Sequence, residues 1–230
     1  MARDFNGTNQ YANNADGTGI WVSPYRFTLA IWVNLDASAR QDHIFGMEYL
    51  PSNITGAIEI GDSTVGGGFP ADNKIYGGYF LNGTGWQLTP DPSNFTLSAW
   101  RHVCITFDGT TQRLYVQGSE VANSLPAFAN GAPGANADLL LFQRNTNYGD
   151  GRGAEAAIWK EALSAKEVAA LAAGANPQFV RPVELRFYAP LFGLHSPELD
   201  WSAGKRPMTL NNSPAAAAHP PVARHHPFAG

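Results

Sequence analysis

Glu59 and Asp62, in the stretch Glu59-Ile60-Gly61-Asp62, are the nearest approach to a paired-carboxylate site in this 230-residue chain. Hydrolysis of a glycosidic bond needs two carboxyl groups flanking it, one to protonate the leaving oxygen and one to attack or to activate water. On a regular strand, side chains three apart point to opposite faces, so these two do not address one substrate. The chain has no Gly-x-Ser-x-Gly elbow for a serine nucleophile. Its single cysteine, Cys104, lies in an apolar run from Val103 to Phe107, where a buried and unreactive thiol is expected. No catalytic residue is assigned, and the chain is read as a non-enzyme.

Metal ligands are equally sparse. His43, His102 and His195 are scattered, and His219, His225 and His226 lie near the C-terminus without a second group at ligand spacing. No metal site is assigned. Binding chemistry is better represented. Lys74 to Leu88, KIYGGYFLNGTGWQL, interleaves Tyr76, Tyr79 and Trp86 with glycines and Asn82. Aromatic rings stack on sugar faces while amides bond hydroxyls, so Tyr76, Tyr79, Asn82 and Trp86 form the candidate ligand site. The alternative is that these rings fill a core. Asn6, Asn53, Asn82, Asn94 and Asn211 open Asn-x-Ser/Thr sequons, and are read as turn residues.

The elements that must position these residues are strands. Charged residues are only 15% of the chain, while 24 glycines and 16 prolines supply turns for many short strands. Phe27 to Leu35 alternates with a period of two, which predicts a half-buried strand with Phe27, Leu29, Ile31, Val33 and Leu35 on its core face. Val103, Ile105 and Phe107 share the face of a second, Asp108-Gly109 makes the turn, and Leu114 and Val116 return. Together with Trp100 they are expected to anchor a sandwich. Asp138–Phe142 adds another strand, and weaker ones are expected at Asp4–Phe5, Gln10–Ala12, His43–Met47, Ala57–Ile60, Gly78–Leu81, Ala154–Trp159 and Val183–Tyr188. Ser164 to Gly174 breaks the pattern: Ser164 with Glu167 makes a capping box and Gly174 a stop, so one short helix is expected, plugging a sheet edge or an end.

A formal net charge of −4 without a Lys/Arg cluster excludes nucleic acid as a partner. No apolar run approaches the ~20 residues of a membrane span, and the first residues carry no apolar signal core, so a soluble protein is expected. From Asn211 the composition turns to Pro, Ala and His. Residues 211–230 are therefore expected to form an extended C-terminal arm beside a body of residues 1–210.

Four stretches carry a family resemblance: Asp4–Asn14 (DFNGTNQYANN), Phe27–Val33, Trp100–Gly118, and Gly151–Gly174 (GRGAEAAIWKEALSAKEVAALAAG). In this order they resemble the laminin-G-like jelly rolls of the concanavalin A-like lectin and glucanase superfamily. The resemblance implies an all-β, two-sheet antiparallel jelly-roll sandwich. Two departures stand out. Ala154 takes one place of the family's usual acidic pair before Glu155, and Leu185–Leu210 resembles the family's opening strand displaced to the end, as in a circular permutation. Some members bind calcium through loop oxygens, for which Asn13, Asn14, Asp16 and Asp150 are the available donors; no other cofactor is implied.

Stand-alone versions resembling this chain occur among phage structural proteins. The first expectation is accordingly a virion decoration or surface protein docked on a capsid or other virion protein through Pro214, His219, Pro220, Pro221, Val222, Arg224, Pro227 and Phe228, and assembled as a homo-oligomer such as a trimer. The alternative is a lectin-like module, at a virion surface or extracellular, that adsorbs to glycans.

Overall fold

The computed structural model describes residues 1–17, 20, 26–36, 42–48, 55–60, 72–81, 85–125, 138–144 and 146–222. The first strands are β1 (Ala2–Asn6), β2 (Tyr11–Asn14), β3 (Phe27–Leu35), β4 (Asp42–Glu48), β5 (Thr55–Ile60), β6 (Ile75–Leu81) and β7 (Gly85–Pro90). There follow β8 (Arg101–Phe107), β9 (Gln112–Val116), β10 (Ser119–Ser124), β11 (Asp138–Leu141), β12 (Gln143–Arg144), β13 (Asn147–Tyr148) and β14 (Asp150–Trp159). The helix α1 (Ala165–Ala172) and a 3-10 turn at Pro177–Phe179 precede β15 (Leu185–Ala189), β16 (Thr209–Asn211) and β17 (Ala215–Ala217).

Apart from β12 and β13, which pair only with each other, these strands build two antiparallel sheets packed as a jelly-roll sandwich. The first sheet runs β10-β9-β8-β3-β14-β1-β17, with β15 also on β14; the second runs β16-β2-β11-β4-β5-β6-β7. Alternation explains the interior: Leu29, Ile31 and Val33 of β3 meet Phe45, Ile58 and Leu139 from the second sheet in one apolar cluster. Each such side chain contributes about 1.5–3 kcal/mol by leaving water. The sheets approach so closely at Gly77 that an added Cβ would lie 2.8 Å from the Ile105 methyl.

The hairpin that the sequence marks is formed. Asp108 Oδ1 accepts the N–H groups of Thr110 and Thr111, and Gly109 takes the positive φ of 93° that the turn requires. The capping box is formed too, with Glu167 N–H donating to Ser164 Oγ and Ser164 N–H donating to the Glu167 carboxylate.

Three expectations are corrected. β3 is buried at all nine positions, not on one face, because the outer side of the first sheet is itself covered. The helix does more than cover an edge: besides meeting the edge strand β10, it sets Val168 and Leu171 on Cys104, Tyr115 and Trp159, on that outer face. Trp100 packs not in the interior but on an outer patch with Ala2, Trp32, Ala154 and Val222.

The last third of the chain serves both sheets. β14 has β3 along one flank, while its other flank is shared end to end by β1, on residues 150–153, and β15, on residues 156–159. At that seam a bulge sets Glu155 at φ 55°, its N–H donating to the Pro190 carbonyl. β16 then pairs with β2, and β17 with β1. The arm expected from residue 211 is thus drawn into the body through Ala217. β1 would otherwise present an unpaired edge, and an edge recruits backbone whatever the side chains. Among the described residues, no helix is long and apolar enough to cross a membrane.

Candidate functional site

The two outer faces differ. On the first sheet the helix and the C-terminal segment lie over the strands. On the second, a half-buried aromatic ledge faces outward at the β16–β2 end. Ala12 of β2 points into the core, so period-two alternation turns Tyr11 and Asn13 outward. β16 pairs Asn211 with Tyr11 and Thr209 with Asn13, and Asn211 Nδ2 donates to Asn13 Oδ1 at 2.9 Å. The β12–β13 hairpin, pairing Gln143 with Tyr148, carries the Tyr148 ring to a centroid distance of 6.0 Å from Tyr11, tilted by 44°.

The neighbouring loop is tied down by amides. Asn6 Oδ1 accepts from the N–H groups of Thr8, Asn9 and Gln10, and Asn212 Nδ2 donates to the Asn9 carbonyl. Two partly exposed rings beside fixed amide groups offer a stacking surface with hydrogen-bonding groups at its margin. Sequence reasoning missed Tyr11 and Tyr148 because they are far apart along the chain. The signal present was Tyr11 following the marked DFNGTNQ stretch.

Deeper in the same sheet a polar row crosses β4, β5 and β6. His43 is the register partner of Glu59, and Glu59 of Tyr76, so the three share the face opposite the core. His43 Nδ1 lies 3.3 Å from Glu59 Oε1, and the Tyr76 hydroxyl donates to the Asp72 carboxylate at 2.9 Å. Burial, with Asp72 beside it, pushes the Tyr76 phenol well above its ordinary range. All three side chains are almost inaccessible.

The expected quartet is divided. Tyr76 and Tyr79 stand three apart on one strand and therefore on opposite faces. Tyr79 fills the core between Phe27 and Phe107, where burial raises its pKa to about 12, and it is not a surface ligand group. Trp86 pairs with Phe80 in β7, its side chain lying outside the described residues, as does Asn82. Two of the donors expected for calcium are engaged within the chain. Asn13 Oδ1 is taken by Asn211, and Asn14 Oδ1 by the Asp16 N–H. Asp150 lies near Asp4, whose ion-pair partner is Arg152. Among the described residues no three His, Cys, Asp or Glu side chains gather as a metal would require.

On the first sheet, the C-terminal segment is anchored by charged groups. Arg3 donates to Glu198 Oε1 at 2.6 Å and to the Pro214 carbonyl at 2.9 Å. Glu155 accepts from the Tyr188 hydroxyl, and His219 Nε2 lies 3.0 Å from Glu155 Oε1. Burial and the neighbouring Glu155 drive the Tyr188 phenol far up. Val222 reaches a small pocket of about 10 Å³, room for about one water, bounded by Trp32, His102, Glu155 and Leu171. Burial lowers the His102 pKa to about 3, so its ring is neutral, and Trp32 meets it edge-on at 5.6 Å. Of the residues expected to dock on a partner, Pro214 and Pro220 are buried and His219 and Val222 seat on their own chain, while Pro221 is exposed. Arg224, Pro227 and Phe228 lie outside the described residues.

Comparison with known proteins agrees with this architecture. The laminin-G-like model of the concanavalin A-like lectin/glucanases superfamily matches residues 6–169. No curated protein matches the chain by sequence. Among solved structures, a Bacteroides ovatus protein assigned to carbohydrate binding superposes with a TM-score of 0.68 at 20% identity, over 94% of this chain and 62% of that one. A heptameric pentraxin from Limulus polyphemus gives 0.59 at 14% identity, over 77% of this chain and 83% of that one. The enzymatically active domain of tailspike protein 2 from bacteriophage CBA120 gives 0.53 at 16%, over 79% and 28%. At these identities the likeness is one of fold. The chain spans less than two thirds of the Bacteroides and tailspike structures.

Proposed function

The chain belongs to the concanavalin A-like lectin/glucanases superfamily, and from that premise we propose that it is a non-catalytic glycan-binding domain whose ligand lies on the outer face of the second sheet. The observation that carries this reading is the pair of half-buried rings of Tyr11 and Tyr148, 6.0 Å apart beside the amides of Asn13 and Asn211. A pyranose ring stacks on one tyrosine while its hydroxyls meet the amides, and the rigid loop keeps the ordering cost low. Binding without bond cleavage fits the carboxylates. Glu59 lies on His43, Glu155 on Tyr188 and His219, and Glu198 on Arg3, each engaged with a non-carboxylate group. A glycan panel followed by titration calorimetry tests the reading. Binding lost in the Tyr11→Ala/Tyr148→Ala protein supports it, and a panel silent at millimolar sugar removes it.

A second reading places the domain at a virion surface, held by the end of the chain. It is favoured by the sequence after Val222, which adds Arg224, Phe228 and two histidines, residue types that anchor interfaces. With residues 209–217 committed to the chain's own sheets, docking on a capsid falls to residues 223–230. Removing those eight residues should abolish co-sedimentation with purified phage particles and leave glycan binding intact. Undiminished co-sedimentation would reject it.

A further inference from the structure

The segment after β16 crosses from the second sheet to the first through Asn212 and Ser213, both at φ 57°. Two consecutive non-glycine residues in the left-handed region make a strained, short hinge. Beyond it, four contacts hold the chain, the first being the Arg3 guanidinium on the Pro214 carbonyl. Ala215–Ala217 pairs with β1, His219 meets Glu155, and Val222 packs with Trp32, Ala2 and Ala154.

The seat for this segment is built by the body. Glu155 is fixed by the bulge, by its N–H on the Pro190 carbonyl and by the Tyr188 hydroxyl; Trp32 is fixed against His102. None of these supports comes from residues 212–222. Any copy of the segment therefore finds the same strand edge, carboxylate and apolar pocket, whichever chain it belongs to. Exchange lets Asn212 and Ser213 relax to extended backbone, giving up their hydrogen bonds with Asn9 and Gln10, while every contact of residues 214–222 is remade. A strained hinge with an unchanged set of contacts is the condition under which identical elements trade places.

We propose that this groove on the first sheet receives the C-terminal segment of a second copy of the chain, exchanged at Asn212–Ser213, so that the protein associates by arm exchange. This holds independently of what the tyrosine face binds.

The test uses the register partners Asp4 and Ala215. In the full chain carrying Asp4→Cys and Ala215→Cys, the two thiols face each other across an antiparallel pair, at a separation that a disulfide can bridge. The buried Cys104 does not compete. The protein is held at about 1 mM, oxidised, diluted and run on a denaturing gel without reductant. The expected result is covalent dimers or closed rings, rising with the concentration of the incubation. The unsubstituted chain is examined by light scattering at the same concentrations. There the Asn212→Gly/Ser213→Gly protein, relieved of the left-handed strain, should need roughly tenfold more protein to associate. A cross-link confined within single chains, an unsubstituted chain that stays monomeric at about 1 mM, or an oligomer that survives deletion of residues 212–230 would each overturn the proposal.

Discussion

His219 Nε2 lies 3.0 Å from Glu155 Oε1, with both side chains 5% and 9% exposed, and this contact joins the C-terminal segment to the seam of the first sheet. The Tyr188 hydroxyl donates to the other carboxylate oxygen, and His219 is the group that the C-terminal segment brings beside Oε1, close but outside hydrogen-bonding geometry. A folded end is thereby written into a sequence that reads as unstructured.

Replacing His219 with Ala takes away the ring packed beside a nearly buried carboxylate. The expected cost is about 2 kcal/mol, a fall in Tm of roughly 4–8 °C for a chain of this size. Adding Glu155→Gln should recover part of that loss, since a neutral amide costs less to leave buried. Thermal melts of the single and double substitutions in dilute solution measure both, and an unchanged Tm in the single would show that the segment is not held there.

Loss of either ring of the tyrosine ledge should weaken glycan binding. Tyr11→Ala and Tyr148→Ala are each expected to lower affinity about tenfold, on the scale of an aromatic contact of about 1.5 kcal/mol, with stability little changed because both rings are half-exposed. Tyr79→Phe, altering a core ring on the other face of its sheet, should leave affinity untouched. Calorimetric titrations compare the three.

His102 should make the fold sensitive to acid. Its folded-state pKa of about 3 lies below the ordinary 6.5, so between those values the unfolded chain binds a proton that the folded chain refuses. Stability from this group is complete above pH 6.5 and is lost at about 1.4 kcal/mol per pH unit as the pH falls toward 3. His102→Phe, which keeps a ring against Trp32, should flatten the dependence by one proton over that window. Denaturant titrations from pH 7 to pH 4 give the two slopes, and equal slopes would exclude His102 as their source.

Gly78→Ala should disrupt the second sheet. An added Cβ would collide with the Gln87 carbonyl oxygen on β7, a backbone atom that cannot swing aside. A loss of about 3 kcal/mol or failure to accumulate as folded protein is expected, where a glycine in an open strand position would gain stability from the same change. Circular dichroism with denaturant titration tests it.

Local rules carried the sequence far where neighbours decide the outcome. The Ser164–Glu167 box starts a helix through bonds within one turn, and the Asp108-Gly109 turn closes a hairpin through bonds within four residues. Alternation in FTLAIWVNL located the core face of β3. The same rule, applied to Tyr76 and Tyr79, already separates them, and grouping both rings in one site set aside a spacing that the strand makes decisive.

What the sequence by itself determined is therefore the alphabet of the fold: strands, the capped helix, and the family. Only the tertiary structure decided that β3 is covered on both faces, that Tyr11 meets Tyr148, and that Ala215–Ala217 becomes a strand. Those outcomes depend on which edges and faces are left unsatisfied once distant segments have packed, and an open backbone edge selects its partner by hydrogen bonds that every residue except proline can donate.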